Sequence, residues 1–245
     1  MLNLRQENTL ANQRRRALLL AVLAFVLVLV VWQVQALNPL LYPFRFYVTT
    51  VHELGHGMTA IITGGEFLHY QVYDSGAGVA TTRGGTRWLI IPAGYVGTAL
   101  FGAVLLYLAN RTRITRAITF ALGIFFAALT LFFARSLPAI LAGFAISAAL
   151  LALGRWGVLW LNIFALNLLA IITGLNAVLD LWGLLGSLNS QVITGTGGVP
   201  NDAYSMAAEI GFLPPALWAM LWIVVAVVLL GSSAWLTFVR PLRQQ

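Results

Sequence analysis

The sequence contains no cysteine and no lysine, and only 9% of its 245 residues are charged. Without cysteine, the chain has no disulfide, no thiolate ligand for a metal and no cysteine nucleophile, so any bound metal must take nitrogen or oxygen ligands. The 14 basic residues are therefore all arginines and outnumber the 7 acidic residues, which gives a net charge of +7. These arginines are scattered near the ends of apolar stretches and form no patch with interleaved aromatic residues, which argues against nucleic-acid binding.

Hydrophobic residues, in contrast, make up 60% of the chain, and the mean hydropathy is +0.88. A soluble domain carries roughly a quarter charged residues, so this composition is typical of an integral membrane protein. The length accommodates about six or seven spans of ~20 residues each. We therefore expect an all-α polytopic membrane protein, and we interpret the positive charge as a matter of membrane topology and of contact with anionic lipids.

One apolar stretch, Val51–Gly57, contains the pattern His-Glu-x-x-His at His52, Glu53 and His56. Residues four apart share one face of a helix, so the two imidazoles can bind one metal ion side by side. Glu53 lies beside them, where its carboxylate can accept a proton from a water molecule that the metal activates. The chain has three histidines. Two of them lie in this pattern. Because the pattern lies on an expected membrane helix and a distant apolar stretch holds a second acid, we favour a zinc site over two satisfied core histidines with Glu53 as a buried pair partner.

The third ligand of such a site must come from elsewhere, because a catalytic zinc usually has three protein ligands and one position for water. Asp180 is the first choice: it and Glu53 are the two acids inside apolar stretches, where a charge without a function is costly. Asn176 lies four residues earlier on the same helical face and could support a ligand or bind substrate. Asp202, in a polar stretch, is the runner-up, and His69 is a further alternative.

The chain is predicted to form a single membrane domain over residues 1–245. Gly64 and Gly65 should end the motif helix, and the aromatic and β-branched residues that follow predict a β-hairpin with its turn at Asp74–Gly76. A lone hairpin is marginally stable in water, so it must pack on the helices or on the lipid interface. The expected segments are a cytoplasmic tail over 1–16, the motif helix, hairpin and third span over 44–108, further spans over 117–134 and 137–153, a span with the distal aspartate over 156–185, a polar loop over 186–213 and a last span over 214–239.

These residues resemble the site-2 protease family of intramembrane zinc metalloproteases, and within it the small bacterial branch of peptidase M50B-like proteins. The resemblance covers about residues 45–102 and, more weakly, 160–215. The segment His52–His56 matches the family pattern H-E-x-G-H, including the glycine between the histidines. The glycine break and hairpin that follow, and the small-residue segment Pro92–Gly97, which would let a neighbouring helix approach closely, are similar as well.

The resemblance implies a function. In that family two histidines and a distal aspartate bind Zn²⁺ and the glutamate is the general base, which implies His52, His56 and Asp180 as ligands and Glu53 as the base. The implied reaction is hydrolysis of peptide bonds in transmembrane or membrane-proximal protein substrates, and the implied location is the lipid bilayer of a bacterial inner membrane, as a multi-pass protein.

The distal motif leaves two alternatives open. In the family it is rich in asparagine and proline and ends in Asp-Gly, whereas Leu175–Leu181 has no proline and no glycine after the aspartate. The segment Asn201–Ala203 resembles a loop that is common in the small branch, so Asp202 stays open as the third ligand. The altered motif also favours an alternative function, in which the chain is a non-proteolytic scaffold or a subunit of a membrane protein complex that retains the fold.

Overall fold

The structure is a computed structural model that describes residues 2–33, 38–110, 114–187 and 201–240. It is mostly helical and has one small antiparallel sheet, which confirms the predicted all-α architecture with a hairpin after the motif helix. The elements are α1 (Leu2–Gln33), α2 (Asn38–Ile62), β1 (Glu66–Val72), β2 (Gly78–Arg83), α3 (Arg87–Ala109), α4 (Thr115–Phe133), α5 (Leu137–Trp156), α6 (Leu159–Ser187), α7 (Asp202–Ile210) and α8 (Pro215–Ala234), which continues as a π-helical turn over Trp235–Val239.

Five helices in the described part of the chain are long and apolar enough to cross a membrane. They are α3, α4, α5, α6 up to Leu185, and α8 together with the turn that ends at Val239. A multi-pass membrane protein follows from these five. Helices α1 and α2 are not among them, so the expected total of six or seven spans stays a prediction.

The motif helix α2 is longer than the sequence predicted. Because Pro39 and Pro43 remove backbone donors, the start was expected near Phe44, but α2 begins at Asn38 and contains Pro43. Pro39 lies in the first turn, where the N–H groups have no partner within the helix, so it costs little there, whereas Pro43 lies inside the helix. The predicted end is confirmed: Gly64 has a φ of +84°, the left-handed conformation that favours glycine after a helix.

The hairpin forms as predicted, with Glu66 opposite Arg83 at one end and Val72 opposite Gly78 at the other. A bulge between Phe67 and His69 shifts the register, and therefore Phe67, Tyr70 and Val72 are all buried although they do not alternate strictly. These three side chains belong to a cluster with residues of α2, α4 and α5, namely Phe46, Leu54, Leu129 and Ala139. The hairpin is thus stabilised by helices that pack on one of its faces.

Helices α2 and α3 cross at very short range. A Cβ atom on Gly55 would lie 2.2 Å from the carbonyl oxygen of Ala93, and one on Gly97 would lie 3.5 Å from the Cα of Gly55. Small residues on both helices therefore allow the two backbones to touch. This confirms that Pro92–Gly97 is a packing segment, and it shows that its partner is the motif helix.

The predicted polar loop over 186–213 contains a helix, which is a correction to the sequence analysis. Helix α7 begins after Asn201, whose side-chain oxygen accepts a hydrogen bond of 3.1 Å from the backbone N–H of Tyr204. It ends before Gly211, which has a φ of +78°. An N-cap asparagine and a glycine after the last turn are standard helix signals. The part of the predicted loop over 188–200 lies outside the described residues.

Helix α7 packs on the bundle through its apolar side. Ala203 and Met206 are buried in a cluster whose other buried members come from α3, α6 and α8, namely Ile91, Leu181, Ala219 and Trp222. An ion pair of 3.0 Å between Arg87 and Glu209 joins the start of α3 to the end of α7. These contacts hold the first residue of α7 beside the motif helix.

Candidate metal centre

His52 and His56 lie one turn apart on α2 and present their ring nitrogens to the same space. The two Nε2 atoms are 3.1 Å apart. The space is kept open by Gly94 of α3, because a Cβ atom there would lie 2.4 Å from Nε2 of His52 and 2.5 Å from Nε2 of His56. The close crossing of α2 and α3 therefore encloses the histidines. Because Gly94 has no side chain, there is room for a ligand between the two rings.

The ring of His56 is oriented by a backbone group. Its Nδ1 lies 2.8 Å from the carbonyl oxygen of Ile90, and since a carbonyl only accepts, Nδ1 carries the proton and donates it. In the neutral ring the lone pair is then on Nε2, the atom that faces His52. Metal-binding histidines typically donate their other N–H in this way, so His56 is held in the tautomer that binds a metal.

Asp202, the first residue of α7, brings a carboxylate to the same point. Its Oδ2 lies 3.1 Å from Nε2 of His52 and 3.4 Å from Nε2 of His56. Partial burial by itself would raise the pKa of Asp202, but the charges and hydrogen bonds of His56 and His52 outweigh it and hold that pKa well below its usual range. In the described ranges, these three residues form the one group of potential metal ligands whose atoms all lie within 4.8 Å of one another.

The donor set fits zinc in both chemistry and spacing. Two imidazoles and one carboxylate are a common set of protein ligands for a catalytic zinc. A tetrahedral ion with ligand distances of about 2.0–2.1 Å holds its donor atoms about 3.3 Å apart. The three separations here are 3.1, 3.1 and 3.4 Å. The side chains are therefore placed as zinc ligands would be.

A protein-family model, Peptidase M50B-like, matches residues 17–233. The chain belongs to this family. Membership supports a membrane metalloprotease of the site-2 protease type in general terms, and M50 peptidases are typically zinc-dependent, which agrees with the group of His52, His56 and Asp202. No curated protein and no solved structure matches the chain.

The geometry of this member of the M50B-like family favours a different third ligand from the one that the sequence placed first. Asp180 is not part of the close group, whereas Asp202, the runner-up, is. The carboxylate of Asp180 instead accepts a hydrogen bond from the amide of Asn176 on α6. His69, the other alternative, lies on β1 with its Nε2 3.2 Å from Oγ1 of Thr81, outside the group. The preference for Asp180 followed from its apolar neighbours in sequence, but tertiary packing of α7 brings Asp202 to the histidines.

Glu53 lies next to the histidines and under the hairpin. Its side chain is only 4% exposed, and a Cβ atom on Gly78 would lie 2.5 Å from its Oε1. Strand β2 therefore passes directly over the carboxylate, and glycine is the residue that fits there. Glu53 is not a member of the close group of His52, His56 and Asp202.

A cavity of about 670 Å³ connects these groups. Residues of α2, β2, α3, α6 and α7 line it, and they include Glu53 and all three members of the close group. Tyr95, which was not predicted from sequence as a site residue, forms part of its wall. The ring of Tyr95 meets the ring of His52 edge-on, with centroids 4.6 Å apart, and stacks on Trp222 at 6.1 Å. Tyr95 stands in the segment Pro92–Gly97, which the sequence analysis interpreted only as a packing surface.

Proposed function

We propose that the chain is an intramembrane zinc metalloendopeptidase that hydrolyses peptide bonds in membrane-embedded or membrane-proximal protein segments. The observation that supports this best is the convergence of His52 and His56 from α2 with Asp202 from α7, 150 residues away from His52 in sequence. Two imidazoles and a carboxylate lose hydration when they meet in an apolar bundle, and a bound cation would offset that cost by giving all three donor atoms a common partner.

In this proposal His52, His56 and Asp202 hold the zinc. When bound, a zinc ion polarises the substrate carbonyl and lowers the pKa of a water molecule to about 7. Glu53 would accept a proton from a water molecule as the oxygen of that water adds to the substrate carbonyl carbon, and would then donate the proton to the leaving amine as the C–N bond breaks. The low exposure of Glu53 keeps bulk water away from the proton that it carries.

The substrate must be extended at the bond that is cut, because the carbonyls of a helix are engaged in its own hydrogen bonds. Strand β2 offers a place for such a segment. Among the strands in the described part of the chain it pairs with β1 alone, and its residues Gly78, Val79, Ala80 and Thr82 line the cavity. An unwound segment can therefore add to the sheet as a further strand next to Glu53, through backbone hydrogen bonds that do not depend on its sequence.

The alternative of a non-proteolytic scaffold rested on the altered distal motif around Asp180. That motif no longer favours a scaffold, because the carboxylate of Asp202 lies beside the two histidines, where the altered motif was expected to provide one. We therefore retain the protease as the proposed function.

The first test is the zinc content of detergent-purified protein. We expect about one zinc per chain in the wild type and in Asp180→Ala, and its loss in Asp202→Ala, because a third protein ligand is needed for tight binding. Glu53→Gln should keep the zinc and lose cleavage of a transmembrane substrate. Zinc that is absent from the wild type, or that stays in Asp202→Ala and leaves Asp180→Ala, would refute the proposed site.

A further inference from the structure

Asp180 has no role in the site as described so far, yet its side chain lines the same cavity. The side chain is exposed there, and the amide nitrogen of Asn176 donates a hydrogen bond to its Oδ2. Over residues 2–33, 38–110, 114–187 and 201–240, Asp180 has no ion-pair partner within 4.0 Å, and its Oδ1 accepts no hydrogen bond. A carboxylate that has no ion-pair partner on a membrane-spanning helix is costly, and such a group is by default interpreted as functional.

The charges around the cavity indicate what kind of group could pair with the carboxylate of Asp180. Four of its described lining residues are charged: Glu53, Asp180, Asp202 and Arg87. The positive charge of Arg87 is balanced by Glu209, with which it forms an ion pair. A bound zinc ion would balance the two negative charges of Glu53 and Asp202. The negative charge of Asp180 then has only the weaker attraction of His52 and Arg45, neither of which forms an ion pair with it among the described residues, so a cation that enters the cavity is attracted to it.

We propose that Asp180, oriented by Asn176, is a recognition subsite for a basic side chain of the substrate. This rests on the proposed function, since the substrate is the molecule that fills the cavity. The free oxygen of the carboxylate and the amide oxygen of Asn176 are both acceptors, and they suit an arginine or a lysine, whose head groups only donate. Basic residues are frequent at the ends of membrane spans, so membrane-proximal substrates would carry such a group close to the bond that is cut.

Synthetic transmembrane peptides provide the probe. Each has an apolar core of ~20 residues and one arginine, which is moved in successive peptides through the positions near one end of the core. A second series carries citrulline, the uncharged isostere of arginine, at the same positions. Binding is measured on zinc-loaded wild-type protein, on Asp180→Asn and on a control, Glu66→Gln, which removes an exposed acid outside the cavity lining.

We expect the wild type and Glu66→Gln to bind arginine peptides at least about tenfold more tightly than citrulline peptides at one or two positions, the size of a hydrogen-bonded charge pair. Asp180→Asn should lose this preference and keep its zinc, and Asp180→Lys should prefer glutamate at the same positions.

An arginine preference that is absent from the wild type, or that persists in Asp180→Asn, would overturn the proposal. Loss of zinc in Asp180→Asn would overturn it too, because Asp180 would then be a metal ligand. Binding does not depend on turnover, so a wild type that shows the preference without cleaving any peptide would support the subsite while refuting the protease.

Discussion

Replacement of Gly94 by alanine is expected to remove zinc from the protein without unfolding it. The added methyl group would lie 2.4 Å from Nε2 of His52 and 2.5 Å from Nε2 of His56. Non-bonded atoms are most stable at separations of about 3.5 Å, so each imidazole must move by about 1 Å. Zinc–ligand distances tolerate only about 0.2 Å. Loss of outer hydrogen bonds to metal ligands already costs 10–100-fold in affinity, and we therefore expect a loss of at least about 100-fold here.

The assay is a competition titration of zinc against a chelator of known affinity, in detergent, together with a thermal unfolding curve. Overpacking by one methyl group typically costs about 1–3 kcal/mol, less than the ~5–15 kcal/mol that holds a folded domain together, so the variant should still fold. The matched control is Gly97→Ala on the same helix. Its methyl group would lie 3.5 Å from the Cα of Gly55, an ordinary contact, and its zinc affinity should equal that of the wild type.

Wild-type zinc affinity in Gly94→Ala would refute the reasoning, because the metal could then not lie between the Nε2 atoms that the methyl group displaces. A loss of zinc of the same size in Gly97→Ala would also refute it. In that case crowding between α2 and α3 in general, rather than displacement of the two histidines, would be the cause.

Three further predictions follow from contacts of the site. Gly78→Ala places a methyl group 2.5 Å from Oε1 of Glu53, so kcat for a transmembrane substrate should fall by at least about tenfold while zinc content, measured in the same sample, stays at the wild-type level. Asn201→Ala removes the N-cap of α7, and the loss of such a cap costs about 1 kcal/mol. Zinc binding, measured by chelator titration, should therefore weaken by up to about fivefold. An unchanged affinity would show that the cap does not help to place Asp202. Gly55→Val forces a side chain into a backbone carbonyl at 2.2 Å and should lower the unfolding temperature in detergent, and a variant as stable as the wild type would contradict the close crossing of α2 and α3.

Much of the fold was predictable from local patterns. The apolar runs predicted the membrane helices, and the glycine pairs with the turn at Asp74–Gly76 predicted the hairpin, because both signals depend on neighbouring residues. The helix α7 was missed although Asn201 and Gly211 carry its start and stop signals. This helix has only 9 residues, too short a stretch to stand out inside a polar segment.

The choice between Asp180 and Asp202 could not be made from sequence in the same way. A buried charge is costly, and of these two aspartates only Asp180 has apolar neighbours in the sequence. Asp202 has polar neighbours in sequence and is brought to the histidines by a short helix that packs through Ala203 and Met206. Such packing joins residues far apart in the chain, and no local pattern reports it.

The sequence by itself determined that His52, Glu53 and His56 stand on one helix in an apolar chain without cysteine, since a spacing of four residues places both histidines on one face whatever surrounds them. The tertiary structure alone decided which carboxylate lies beside them, which glycine leaves the space at their Nε2 atoms open, and which strand covers Glu53. Those features depend on distances between separate elements, and these are set by how α2, α3, α7 and the hairpin pack together.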